Sequence, residues 1–427
     1  IKCIEDEIPF EVPEGWAWAR MSSLTQDLPY GTSKKSSSRG EIAVLRMGNL
    51  QQGEIDYSDL VYSSDKEDID KYLLTYGDLL FNRTNSSEWV GKTAIYRGEV
   101  SAIYAGYLIR IRSFLDAEYL NSVMNSKYAK EICLLVKTDA VNQSNINATK
   151  LGRFLIPVPP LSEQVRISNM VSEALYWNNF IEIKKLELEQ YIQQIKSKIL
   201  DLAIRGKLVP QNPNDEPASV LLERIRAEKE ELIKQGKIKR DKKETIIFRG
   251  DDNSYYEKNG ENIVNIADEI PFGIPRNWSF IRLKDVLEYE QPTPYIVEST
   301  DYKNDYSIPV LTAGKSFIIG YTNETSGIKT DLPVIIFDDF TTDSKYVDFP
   351  FKVKSSAMKI LTANEKLINT KYAFYAMQCI ECDCYNHKRY WISDFSNKLI
   401  PLPPLEEQLN IVHTIEKLYN YIEKSLN

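Results

Sequence analysis

The run Leu155-Ile156-Pro157-Val158-Pro159-Pro160-Leu161-Ser162-Glu163-Gln164 returns as Leu399-Ile400-Pro401-Leu402-Pro403-Pro404-Leu405-Glu406-Glu407-Gln408. Upstream of each copy stands a second matched phrase. Asp6-Glu7-Ile8-Pro9-Phe10-Glu11-Val12-Pro13-Glu14-Gly15-Trp16 reappears as Asp268-Glu269-Ile270-Pro271-Phe272-Gly273-Ile274-Pro275-Arg276-Asn277-Trp278. Two long matches in one order mark an internal repeat. Between the phrases the copies diverge: one carries Gly77-Asp78-Leu79-Leu80-Phe81-Asn82-Arg83-Thr84, the other Val334-Ile335-Ile336-Phe337-Asp338-Asp339-Phe340-Thr341. Each of these reads as a buried strand entering a polar turn. Like frames around unlike contents predict two copies of one scaffold that recognise two different things.

The proline phrase marks a switch to helix. Proline is tolerated before a helix and in its first turn, and Glu163, Glu406 and Glu407 fall where carboxylates favour the positive helix end. After Leu161 neither proline nor glycine occurs until Gly206, which allows a helix of about 45 residues, roughly 65 Å long. Its stripe Leu188, Ile192, Ile195, Ile199 and Leu202 has coiled-coil spacing; Gly206 and Pro210 supply the stop. The shorter second copy shows Leu409, Val412, Tyr419 and Ile422 on one side, and antiparallel pairing of the two helices would bury both stripes. A third helical element runs from Glu216-Pro217 through Leu221, Leu222, Ile225, Leu232 and Ile233 to Gly236. The basic stretch Lys237-Ile238-Lys239-Arg240-Asp241-Lys242-Lys243 follows it. These two read as a solvated helix and connection, or as a contact surface for another subunit or for phosphates.

The chain has 427 residues, 43% of them hydrophobic, enough for two or three domains with real cores. No apolar run reaches the roughly 18 residues of a membrane span, and no signal peptide is visible. Five cysteines do not form a disulfide framework, so a reducing cytoplasmic setting is expected. A net charge of −8 argues against indiscriminate coating of nucleic acid. It leaves room for local arrays of Lys and Arg.

Catalytic signatures fail. Ala313-Gly314-Lys315-Ser316 lacks the first glycine of a phosphate loop, and both Pro-Pro pairs follow Val or Leu, unlike an amino-methyltransferase motif. The two histidines, His387 and His413, read as structural or solvated. Cys379, Cys382, Cys384 and His387 have zinc-compatible spacing. They follow an apolar helical run, so they read as core or incidental residues, and neither a metal nor a catalytic residue is expected.

The repeated Pro-Pro-Leu-x-Glu-Gln phrase, the repeated Ile-Pro-Phe…Pro…Trp opening and Leu202-Ala203-Ile204-Arg205-Gly206-Lys207-Leu208-Val209-Pro210 together closely resemble the specificity subunits of type I restriction-modification systems. The resemblance covers practically the whole chain. It implies an α+β chain with two pseudo-symmetric α/β target recognition domains joined by long antiparallel coiled-coil helices. The domains are expected at residues 1–160 and 268–404. A central helical spacer and linker is expected at 161–267, and a foreshortened C-terminal helix at 405–427. It implies a non-catalytic, cytoplasmic subunit whose domains each read one half of a split asymmetric double-stranded DNA target, with the helices setting the spacing. The implied partners are two methyltransferase subunits and restriction/translocase subunits, which would carry S-adenosylmethionine, ATP and Mg. A coiled-coil protein-interaction adaptor without DNA binding fits the repeat as well. A stretch like Leu202–Asn265 is also expected before the first domain. Ile1 begins near the equivalent of Ile263, so a foreshortened methyltransferase surface is expected.

Base reading needs polar side chains on loops that reach a groove, with other cations on phosphates. In the first domain the candidates are Lys34, Lys35, Ser37 and Arg39 on one loop, Arg83 and Asn85 on a turn leaving a strand, and the amide-rich Asn142, Gln143 and Asn145. In the second they are Lys315, the turn residues Thr341, Thr342 and Lys345, and Lys388, Arg389 and Tyr390.

Overall fold

Two buried apolar runs organise the two halves of the chain. Leu79–Asn82 and Val334–Asp338 are interior strands covered on both faces, which is why they read as continuous hydrocarbon rather than as an alternation. The computed structural model describes residues 5–140, 143–239, 245–312, 316–380 and 390–426. The chain divides into two units, Ile1–Lys185 and Leu186–Asn427.

The first unit runs β1 (Ala17–Arg20), β2 (Ile42–Leu45), the hairpin β3–β4 (Leu50–Gln51, Glu54–Ile55), β5 (Val61–Ser63) and α1 (Lys66–Tyr72). It continues through β6 (Leu79–Asn82), β7 (Thr84–Asn85), β8 (Thr93–Ile95), β9 (Ala102–Tyr104) and β10 (Leu108–Ile111), then α2 (Ala117–Asn125) and α3 (Lys127–Val136). β11 (Thr138–Ala140), β12 (Gln143–Asn145), α4 (Ala148–Gly152) and β13 (Leu155–Val158) close the domain. β6 lies between β10 and β8, β2 between antiparallel β5 and parallel β9, and β12 between β11 and β7. β1 pairs with β13.

The helix α5 (Leu161–Ile204) runs on from this domain. Pro160 cannot donate, and its carbonyl instead accepts the Glu163 and Gln164 amides that open the helix. The end is a Schellman cap: Gly206 sits at φ +65°, and the Gly206 and Lys207 amides donate to Ala203 and Leu202. A Cβ at Gly206 would also meet Pro275 at 2.4 Å.

The second unit holds the end of α5, α6 (Ala218–Lys234), a meander of β14 (Ile246–Arg249), β15 (Tyr255–Asn259) and β16 (Asn262–Asn265), and then the second domain. That domain comprises β17 (Ser279–Arg282), α7 (Leu283–Val286), β18 (Leu287–Glu290), β19 (Ile308–Leu311), β20 (Ile318–Thr322) and β21 (Val334–Asp338). β22 (Ser344–Val347), β23 (Lys352–Val353), β24 (Met358–Ala363), α8 (Thr370–Met377), α9 (Tyr390–Ser393), β25 (Leu399–Leu402) and α10 (Leu405–Lys424) complete it. Strand β19 pairs antiparallel with β20 and parallel with β23, as β2 does with β5 and β9. The β17–β25 pair matches β1–β13.

The repeated phrases build the same contacts twice. Trp16 Nε1 donates to Glu163 Oε2 at 3.2 Å, and Trp278 Nε1 to Glu407 Oε2 at 2.9 Å. The Gln164 amide group donates to the Pro159 carbonyl and accepts the Asp116 amide, both at 2.9 Å. Gln408 does the same with Pro403 at 2.9 Å and Asn369 at 2.8 Å. The Tyr119 hydroxyl donates to the Pro157 carbonyl at 2.8 Å, and the Tyr372 hydroxyl to the Pro401 carbonyl at 2.9 Å. Arg20 and Arg282 donate to the Arg153 and Asn397 carbonyls.

In the second unit, the end of α5 packs antiparallel to α10. The Tyr419 hydroxyl donates to the Lys196 carbonyl and Lys196 pairs with Glu423, while Gln211, past the end of α5, reaches Glu407 near the start of α10. The expected stripe is only partly right. Leu188, Ile195 and Leu409 are exposed, and the buried face is Ile199, Ala203 and Ile204 against Ile411, Val412 and Ile415. This stretch of α5 contributes to the domain core as well as facing α10, so its apolar face is wider than a two-helix seam. The first half of α6 is not a solvated helix: Ala218, Leu221, Leu222 and Ile225 join the same core. The meander β14–β16 was not foreseen; it docks through Glu257, which pairs with Arg282 at 2.7 Å. No helix among the described residues is long and apolar enough to cross a membrane.

Glu407 also accepts from Gln211 at 2.5 Å. Burial pushes its carboxyl above the usual range, against the pull of its hydrogen bonds to Trp278 and Gln211. A raised folded-state value means that its stabilisation is complete below the unfolded value of about 4.3 and is lost as pH rises through the folded one. Glu407→Gln keeps an acceptor for Trp278 without the charge. Its melting temperature should therefore gain on the parent as pH rises from about 4 to 7, and a constant difference across that range would contradict this.

Candidate nucleic-acid interface

One end of the first domain brings together the predicted site residues Arg83, Asn85, Gln143 and Asn145. Strand β6 hands over to β7 at Arg83, whose amide donates to the Tyr107 carbonyl at 3.1 Å and whose carbonyl accepts the Ile146 amide at 2.8 Å. The backbone of Arg83 therefore ties three segments together. Its guanidinium lies 4.6 Å from the centre of the Tyr30 ring, a cation–π arrangement, and its buried Nε has no partner among the described residues. Beside it β12 pairs with β7, setting Ser144 opposite Asn85 and Asn145 opposite Thr84. Asn145 Nδ2 donates to Thr84 Oγ1 at 2.8 Å. Gln143 is exposed on the same ribbon, and Asn142 lies outside the described residues.

The chain reaches this end through Gly31, where a Cβ would meet the Tyr104 carbonyl at 2.1 Å. Only glycine permits that approach. It sets Thr32 against Tyr104 and Gly106 and leaves Tyr30 and Tyr107 exposed beside Arg83. Neither tyrosine was identified from sequence; the cue is an exposed aromatic adjoining a glycine in Tyr30-Gly31 and Gly106-Tyr107. Trp89 was also missed. It is exposed and lies 4.0 Å beneath the Lys92 ammonium.

The loop of Lys34, Lys35, Ser37 and Arg39 is not a uniform cationic finger. Lys34 Nζ lies 2.9 Å from Asp65, 3.5 Å from Glu67 and 3.4 Å from Asp68 at the start of α1. Its hydrogen bond to Asp65 holds the ammonium well above the usual lysine range, and the same bond lowers Asp65. Its charge is already neutralised. Ser37 pairs through its backbone with Tyr62, and its hydroxyl donates to the Arg39 carbonyl; it shapes the loop. Lys35 and Arg39 are exposed and have no ion pair among the described residues.

In the second domain, the Asp338 carboxylate accepts the Phe340 and Thr341 amides at 2.8 and 3.1 Å, closing the turn before β22. Thr342 stands at φ +61°. Thr341 is exposed and Lys345 half-buried on β22. Tyr390 must be corrected: it is 1% exposed, like its neighbour Trp391, which packs on Phe337 with ring centres 5.3 Å apart. Both are core aromatics, buried because the turn must be anchored to the sheet beneath it. Lys315, Lys388 and Arg389 lie outside the described residues, as do Cys382, Cys384 and His387. Burial pushes the Cys379 thiol up to about 12, an unreactive form.

A family model described as the type I restriction modification DNA specificity domain matches residues 29–194 and 275–427. The chain belongs to this family. By that membership it is a specificity subunit of a type I restriction-modification system, not a catalytic one. It is similar to the EcoR124I/EcoR124II specificity subunit of Escherichia coli, 51% identical over 31% of this chain and 33% of that one. It is also similar to the putative MjaX specificity subunit of Methanocaldococcus jannaschii, 24% identical over 97% of this chain and 89% of that one. The region matched is thus about a third of the first relative and most of the second. A chain solved in work on complex assembly and conformational transition of the type I R-M system shares the fold. Its TM-score is 0.58 at 15% identity, over 97% of this chain and 93% of that one.

Proposed function

We propose that this specificity subunit works in the cytoplasm and reads a split, asymmetric double-stranded DNA target. In this reading each domain recognises one half-site, and α5 sets the gap between them. One observation carries the proposal: the tryptophan–glutamate, glutamine and tyrosine bonds of the frame recur in both domains, while the turns between its strands carry different side chains. Tyr30, Arg83, Asn85, Gln143 and Asn145 offer the first half-site a cation, amides and an aromatic face, the chemistry that reads base edges. Thr341, Thr342 and Lys345, with Lys315, Lys388 and Arg389, serve the second. Lys35 and Arg39 contact phosphates. Methylation and restriction belong to two methyltransferase subunits and to restriction/translocase subunits, which hold S-adenosylmethionine, ATP and Mg.

With the assembled methyltransferase complex, Arg83→Ala should relax the base preference of one half-site, costing about 1–3 kcal/mol of discrimination. Lys35→Ala with Arg39→Ala should weaken binding to all sequences alike, flattening the log–log salt dependence by about one unit for each phosphate no longer neutralised. Lys34→Ala should leave the slope unchanged. Equal slopes for all three replacements would refute the assignment.

The exposed ridge Tyr176, Trp177 and Phe180 on α5, with neighbouring ring centres 5.6 and 5.7 Å apart, supports docking of a methyltransferase subunit. Large aromatics concentrate binding energy where a partner covers them. Tyr176→Ser with Trp177→Ser should weaken assembly at least about tenfold in a titration against the methyltransferase, with little change in the melting curve. Undiminished assembly would remove this surface from the proposal.

Four residues inserted after Glu182 would lengthen α5 by about 6 Å and add a net turn of roughly 40°. The preferred gap should then grow by one or two base pairs, since each step is about 3.4 Å, while both half-site sequences stay the same. Mapping of methylated bases reads this directly. An unchanged gap used at full efficiency, or altered half-sites, would exclude α5 as the spacer.

A further inference from the structure

The two domains place different chemistry at one buried node. Opposite Phe81 in the β6–β10 ladder sits Ile109, and opposite Phe337 in the β21–β24 ladder sits Lys359. Both are fully buried. The frame at this place is satisfied by hydrocarbon, so the ammonium answers some other need. Lys359 Nζ lies 3.3 Å from Asp339 Oδ2 and donates to Gln291 Oε1 at 3.1 Å. Asp339 uses its other oxygen to accept the Trp391 amide, and its carbonyl to accept the Tyr390 amide, both at 3.0 Å. The end of β21 is thereby tied twice to the start of α9. At the corresponding node of the first domain the Ile146 amide donates to the Arg83 carbonyl, and among the described residues the Arg83 side chain bonds to Gly106 rather than to that segment. The side chain there is a half-buried cation against Tyr30.

A buried ion pair is rarely the most stable filling for its space, and hydrocarbon of equal volume often does better. What it can secure is one arrangement over its competitors. We propose that Asp339 is the positioning residue of the second domain, with Lys359 neutralising its buried charge. Asp339 fixes the turn Asp338–Lys345 against the start of α9, and discrimination of that domain's half-site depends on the fixed register. The inference rests on the DNA-reading function proposed above.

The test compares two double variants in the assembled methyltransferase complex, reading the rate of methylation of the correct target against single-mismatch targets. Asp339→Asn/Lys359→Ile keeps the acceptor for Trp391 and removes both buried charges; wild-type discrimination is expected at both half-sites. Asp339→Ala/Lys359→Ile removes the acceptor. It should lower discrimination about tenfold at one half-site, the size of a typical single-base effect, and leave the other intact. Hydrogen exchange should quicken only in the turn and around α9. Full discrimination in the alanine variant, equal loss at both half-sites, or loss of protection throughout the domain would overturn the positioning role. A wild-type complex with no target dependent on this chain would overturn the recognition reading itself.

Discussion

The fold depends on two buried glutamines. Each proline phrase brings a strand to a point where the backbone has no N–H to offer, then demands that a helix begin at once. Gln164 and Gln408 solve this with one side chain apiece. The amide nitrogen satisfies the carbonyl stranded before the second proline, and the amide oxygen takes the backbone N–H at the cap of a domain helix. A buried donor or acceptor left open costs about 1–3 kcal/mol, so the glutamine is held from both ends and the helix leaves its domain in one direction. The neighbouring glutamate takes the tryptophan of the opening phrase. That joins the first and last strands of each domain to the helix that follows.

A clamp at the base frees the opposite end. Since the frame is closed by β1–β13 and β17–β25 and their bonds to the helix, the turns between the inner strands can change without disturbing it. The ladder shows how far this goes: Ile109 and Lys359 occupy one place in the same strand pairing. In one copy the node beyond β6 offers a cation to the surface, and in the other the node beyond β21 turns a carboxylate inward. One scaffold carries two recognition surfaces because its stability is decided elsewhere.

The repeat made the frame legible. The phrases that match by eye form the repeated hydrogen bonds, and the absence of proline and glycine between Leu161 and Gly206 foretold α5 to within two residues. Spacing was less informative about which face of a helix is covered. Leu188 and Ile195 fit a heptad, but burial follows Ile199, Ala203 and Ile204, because a helix that also borders a domain core is covered on a wider arc. The site was legible only in outline. Arg83 and the amides of β12 were singled out because polar residues follow buried strands, and the structure sets them side by side. Lys34 misled, since its three carboxylates come from a helix more than thirty residues along the chain. Tyr390 misled because an aromatic beside a basic pair looks the same whether it stacks outward or inward.

The internal pairing of its cations explains how an acidic protein can be built to read DNA. Many are committed in this way: Lys34 at the cap of α1, Arg112 to Asp78, Arg282 to Glu257, Lys352 to Glu324 and Lys359 to Asp339. Each such pair withdraws a charge that could otherwise release counterions from a phosphate, and affinity for arbitrary sequence falls with every one withdrawn. Lys35 and Arg39, by contrast, are exposed on a loop and have no ion pair among the described residues. Affinity from charge alone is therefore modest, and what remains depends on whether the polar groups on the turns meet matching base edges. A low net charge and cations committed to rigidity push in the same direction, toward a surface whose binding is dominated by fit. That is the property a specificity subunit requires, because the competing sites on a genome outnumber the targets by orders of magnitude.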